Sequence, residues 1–193
     1  MKWPAFLVLC VMSARCAAAE GWYLLPEPRF MGHEIAWPVP GSTSTVTVPA
    51  HSAAAEPEPL VSARIAKEAG LSLPVVMDAA RANASTLLES LRIELVRDER
   101  GVILYALLAS DNPLTASVVF APGFGEKFLE TIGPDVLVAI PNRFRVYVFP
   151  RSAVPGAVLS DRLFVDYGAT NYPVSREVFE VVDGQLKAVG ALR

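Results

Sequence analysis

Cysteine and histidine are scarce in this sequence and confined to its beginning. The two cysteines are Cys10 and Cys16, and the two histidines are His33 and His51. A Ser-His-Asp or Cys-His apparatus needs an imidazole beside its nucleophile. Residues past His51 therefore cannot build one by themselves, and a zinc site of Cys and His ligands is excluded there. His33, with Glu34 beside it, reads either as a metal or catalytic group reaching back to the domain, or as a polar surface histidine, which is the usual case. Excess positive charge is also missing. Seventeen Lys and Arg face 20 Asp and Glu, a net −3, which argues against a nucleic-acid-binding surface. Long apolar runs are absent too. The longest after residue 20 is Val102 to Ala109, far short of the roughly 20 residues that span a bilayer.

What is present begins with an export signal. Lys2 precedes the apolar run Ala5 to Met12, and Ala17-Ala18-Ala19 places small residues at −3 and −1 before Glu20. This is the layout of a secretory signal peptide over residues 1–19, and it places the protein outside the cytoplasm, periplasmic or extracellular. A lipid on Cys16 is the rival reading, but Arg15 stands where a small residue is expected, and no Arg-Arg pair marks twin-arginine export. Cleavage after Ala19 removes both cysteines, so the exported chain forms no disulfide, keeps no transmembrane anchor, and carries −5.

Residues 20–59 hold seven prolines, which disfavours helix. Ser42 to Val48 (STSTVTV) reads as a strand, and Ala53 to Pro59 (AAAEPEP) as a linker. Trp22, Tyr23, Phe30, Met31 and Trp37 are many large apolar groups for a disordered tail. Either they pack onto the domain, or they form an extended contact segment for a partner, with Trp22, Phe30 and Trp37 as the candidate interaction residues.

Residues 60–193 read as an α+β domain. Leu60 to Ala69 suggests a short helix. Val76, Ala80, Ala84, Leu87, Leu88 and Leu91 form a helical stripe behind Ser72 and Pro74. Ile93 and Leu95 alternate with polar residues, 98–101 turns the chain, and Val102 to Leu108 reads as a central strand. Asn112-Pro113 begins a second helical stretch, interrupted at Pro122-Gly123 and resumed through Phe124, Phe128, Leu129 and Ile132. Strands follow at 136–140 and 144–149. Leu159, Leu163, Phe164 and Tyr167 give a third helix ending at Gly168. Strands at 176–182 and 185–190 then flank the hairpin turn Asp183-Gly184. The expectation is a largely antiparallel sheet of about six strands from three successive helix–hairpin units, with helices mainly on one face.

Chemical signals inside the domain are weak. Gly123-Phe124-Gly125-Glu126-Lys127 departs from a phosphate loop, since Glu126 separates glycine from lysine and Phe128 replaces the hydroxyl. The glycines read instead as a bend. Arg143, Arg145 and Arg151 surround one hairpin near Tyr147 and Phe149, which suits an anion or a partner. The plainer reading is a solvated sheet face with arginine stems over the aromatics. Asp161, Asp166, Glu177, Glu180 and Asp183 supply carboxylates for glycoside hydrolysis, but nothing selects one pair. No catalytic residue, cofactor motif or metal motif is identified.

The run Asp135 to Arg143 (DVLVAIPNR) followed by a strand resembles the C-terminal part of the bacterial domain-of-unknown-function family 1444. Thr86 to Leu91, Ser110-Asp111-Asn112 and Val182 to Lys187 agree in order, covering about residues 74–192. Phe144 stands where the family pattern has an acidic residue. The resemblance implies an α+β fold and no assigned activity, cofactor or site residue. The expected function is an exported, non-catalytic binding or interaction domain of the bacterial cell envelope, its partner an envelope protein or glycan. A carboxylate-dependent hydrolase of envelope carbohydrate is the alternative. A homodimer formed when the extension pairs with another copy's sheet edge is a third reading.

Overall fold

The computed structural model describes residues 21–52, 72–152 and 157–192. The signal segment with Cys10 and Cys16, the Ala53–Pro59 linker and the expected helix at Leu60 to Ala69 lie outside the described residues.

The protein is mixed α and β, with antiparallel sheets. The proline-rich segment forms three strands: β1 (Trp22–Pro28), β2 (Trp37–Pro38) and β3 (Thr45–His51), in the order β1-β3-β2. Strand β1 tolerates Pro26 and Pro28 because it pairs along one side only, and an edge is where a sheet accepts a missing donor. Pro49 lies in the middle strand, but β2 pairs only with Val46 and Thr47, so no ladder bond is demanded of it there. Helix α1 (Leu73–Ser90) starts with Pro74 in its first turn, and the predicted stripe supplies its buried residues Val76, Ala80, Ala84 and Leu88.

The larger sheet contains β4 (Ile93–Arg97), β5 (Ile103–Ala109), β6 (Val136–Asn142), β7 (Arg145–Pro150), β8 (Glu177–Val182) and β9 (Gln185–Ala191), in the order β4-β5-β7-β6-β8-β9. Helix α2 (Ala157–Gly168) precedes β8. The expected second helix is instead a pair of 3-10 turns, Thr115–Phe120 and Gly125–Phe128. Pro122 lacks the donor a continuous helix needs, and Gly123 adopts φ +73 between the two pieces. All six residues of Thr115–Phe120 are buried, so this turn lies in the core, not on its surface.

Alternation along β6 and β7 shows how the layers divide. Val138, Ile140, Val146 and Val148 share one cluster with α1, Thr115–Phe120 and the small sheet. Leu137, Ala139, Tyr147 and Phe149 pack with Leu159 and Leu163 of α2 in a second cluster. Successive strand residues face opposite sides, so the cluster that includes α1 and the cluster that includes α2 lie on opposite faces of the large sheet, against the expectation of helices mainly on one face. Trp22, at 1% exposure, belongs to the first cluster with Leu24, Leu25 and Val48. Its ring meets His51 edge-on at 4.9 Å, and its carbonyl accepts a 2.8 Å bond from Asn83 of α1.

A loop from the small sheet closes over part of the outer edge of β9. The Ala188 N–H donates to the Pro40 carbonyl over 2.8 Å. Gly41 makes this approach possible: a Cβ there would fall 2.4 Å from the Ala188 carbonyl oxygen.

Candidate functional site

The charged residues singled out from the sequence turn out to be largely structural. Arg143 is 7% exposed. Its Nε donates to Glu27 Oε1 over 2.6 Å, and its guanidinium lies 5.0 Å above the Tyr172 ring. Arg145 donates to Asp166, a buried carboxylate that also accepts from the Tyr147 hydroxyl. Burial first, and then the bond to Asp166, push the Tyr147 phenol well above its ordinary range. Arg151 is exposed and bridges Asp135 and Glu180. The face carrying Tyr147 and Phe149 is not solvated, because α2 covers it.

The carboxylates separate in the same way. Asp166 holds Arg145 and Tyr147, and Glu180 holds Arg151 and Lys187. Glu177 is buried against the loop Ser42 to Thr45. It accepts from Ser42 Oγ at 2.6 Å, the Thr43 N–H at 2.9 Å and Thr45 Oγ1 at 2.7 Å. Burial alone would raise its pKa, but these donors outweigh it and hold the carboxyl down to about 2. The STST run thus cradles a carboxylate, and β3 begins only at Thr45.

Of the aromatic candidates, Trp22 presents no surface to a partner because it is core. Phe30 is 75% exposed and lines a cavity of about 310 Å³ with Tyr167 and Arg176. Trp37 is half-buried and lines another. His33 lies 3.7 Å from Glu27 Oε2 through its Nε2. Among the described residues, no group of three or more His, Cys, Asp or Glu side chains converges.

One cation stands apart. Arg81, half-buried on α1, makes no hydrogen bond or ion pair through its guanidinium among the described residues, and its Nε is buried without an acceptor. It lines two cavities at once. The larger, about 540 Å³, lies among the Gly123–Glu126 loop, Leu129, Pro134 and the β8–β9 turn, with Glu126 and Asp183 on its wall. The smaller, about 220 Å³, is walled by Trp37, Val39, Met77, Phe120 and Leu186. Arg81 and Gly184 line both, so the two cavities adjoin at these residues. Asp183 and Gly184 take φ +51 and +67, the tight hairpin geometry that Asp-Gly predicts, and this fixes the rim.

The buried Nε–H of Arg81 has no acceptor among the described residues, and an unmet buried donor is costly unless something else supplies the acceptor. The arrangement suits capture of an anionic group. Sequence reasoning missed Arg81. Its only signal was its position next to buried Ala80, at the margin of the apolar stripe, and any helix-surface arginine shares that feature. The bend at Gly123-Phe124-Gly125 was legible, but its place beside α1 was not.

No protein-family model, no curated protein and no solved structure matches the chain in comparison with known proteins.

Proposed function

We propose that this protein is an exported, non-catalytic binding domain of the bacterial cell envelope, and that the cleft at Arg81 takes an anionic group of its ligand. The observation that carries this reading is Arg81, which lines both cavities and has no acceptor or carboxylate partner among the described residues. Arg143, Arg145 and Arg151 already have carboxylate partners. Export is supported by Lys2, the Ala5 to Met12 run and Ala17 to Ala19. An envelope protein or glycan is the proposed source of the ligand. The resemblance to family 1444, and the division of the large sheet into three helix–hairpin units, belong to this reading as well. The element order from α1 onward supports the latter, with 3-10 turns in the place of the middle helix.

Titration of the purified chain with acetate, benzoate and inorganic phosphate, followed by tryptophan fluorescence and calorimetry, tests the cleft. Saturable binding of at least one anion is expected, with loss in Arg81→Gln. Absence of binding, or binding unchanged in that variant, would overturn it.

The hydrolase reading has one observation in its favour: Glu126 and Asp183 line the same cleft. Two carboxylates across a cleft are the minimum for glycoside hydrolysis. Hydrolysis of an envelope glycan that disappears in both Glu126→Gln and Asp183→Asn would establish it. Glycan binding without turnover would leave the domain a binder.

A further inference from the structure

The two cavities that meet at Arg81 differ in chemistry, and the difference narrows the ligand. Among the described residues Arg81 is the only charged one lining the smaller cavity, whose walls are otherwise mainly apolar, with Trp37, Val39, Met77, Phe120 and Leu186, and include the polar Thr47 and Gln185. The larger one carries two acids, Glu126 and Asp183, beside the same arginine. From this asymmetry we infer that the ligand is a monocarboxylate bearing an apolar or aromatic group. Its carboxylate lies on the Arg81 guanidinium, and its apolar group fills the smaller cavity. This deepens the reading of the cleft as an anion site and rests on it.

Three physical points carry the assignment. The planar guanidinium fork matches a carboxylate, which can accept two parallel N–H bonds. The apolar walls next to it reward burial of hydrocarbon, whereas a hydrated inorganic anion would leave that surface unused. The acids of the larger cavity repel additional negative charge at the junction. A dianion such as phosphate is therefore disfavoured, while a single carboxylate turned toward the apolar side keeps its distance from Glu126 and Asp183. Aromatic groups also gain from the Trp37 ring on the wall of the smaller cavity.

The experiment is a titration series on the purified chain with acetate, butyrate, hexanoate, phenylacetate and inorganic phosphate, read by calorimetry and by tryptophan fluorescence. Affinity is expected to rise by about fourfold per added methylene until the cavity is full. Phenylacetate should bind at least about tenfold tighter than acetate, and phosphate should bind weakest. Arg81→Gln should weaken the carboxylates by about tenfold or more. Circular dichroism serves as the folding control, since Arg81 holds no described partner. Met77→Glu is the second variant. It places a carboxylate one helical turn before Arg81, where it can pair with the guanidinium, and binding should be lost while the fold is retained. Equal affinity for acetate and hexanoate, or tightest binding of phosphate, would overturn the apolar monocarboxylate and leave the anion site standing. Equal binding of hexanol and hexanoate would remove Arg81 from recognition altogether. No binding of any anion would overturn both readings.

Discussion

Arg143 Nε donates to Glu27 Oε1 over 2.6 Å, tying β1 to the β6–β7 turn across 116 residues of sequence. Both side chains are buried, and His33 stands 3.7 Å from the second oxygen of Glu27. Removing one partner leaves a charge buried and uncompensated. Glu27→Gln and Arg143→Met should each lower stability by about 3–5 kcal/mol. The double variant Glu27→Gln with Arg143→Met should cost less than the sum of the singles. Urea unfolding of the four proteins provides the cycle, and additive losses would contradict the pairing.

Glu177 links the Ser42 to Thr45 loop to β8, and its depressed pKa predicts a pH dependence. Its carboxyl titrates near 4.5 when unfolded and near about 2 when folded. The stabilisation is therefore complete above pH 4.5 and is lost as pH falls from there through about 2. The shift corresponds to about 3 kcal/mol. Glu177→Gln should be less stable at neutral pH and should lose this part of the acid transition. An acid limb identical in variant and parent would show that the cradle does not hold the charge.

The small sheet is part of the core, which changes the meaning of a truncation. Deleting residues 20–59 removes Trp22, Leu24, Leu25 and Val48, all fully or almost fully buried beside α1. The deletion should abolish cooperative unfolding rather than detach a tail. Trp22→Ala alone should cost about 3–5 kcal/mol. Near-ultraviolet circular dichroism and thermal melts measure both, and a truncated chain that still melts cooperatively would refute the expectation.

Export makes its own prediction. When the whole chain is expressed in a bacterium, mass spectrometry of the exported fraction should find Glu20 at the amino terminus. An uncleaved chain retained in the cytoplasm would remove the compartment from the proposed function.

Local signals carried much of the fold. The spacing from Val76 to Leu91 placed α1, and alternation at Ile93 and Leu95 placed β4. Asp183-Gly184 marked a hairpin whose backbone has the positive φ values such a turn requires. The stripe at Phe124, Phe128, Leu129 and Ile132 misled, because its apolar residues recur at helical spacing while Pro122 and Gly123 allow only short 3-10 pieces. Phe124 and Phe128 are buried all the same, their rings 5.2 Å apart. Ser42 to Ser44 looked like strand by β-branching, yet they form the loop that meets Glu177, a partner more than 130 residues away.

By itself the sequence determined α1, α2, the six strands of the large sheet with their antiparallel character, and the early confinement of cysteine and histidine. These follow from periodicity, turn chemistry and composition, which are local or summed properties. Only the tertiary structure decided which charges are neutralised. Arg143, Arg145 and Arg151 resembled a cationic patch in sequence but meet Glu27, Asp166 and Glu180 in space. Arg81 looked like an ordinary helix residue and has no partner among the described residues where two cavities join. Pairing is a matter of a few ångströms between residues far apart in the chain, and spacing along the sequence does not encode that distance.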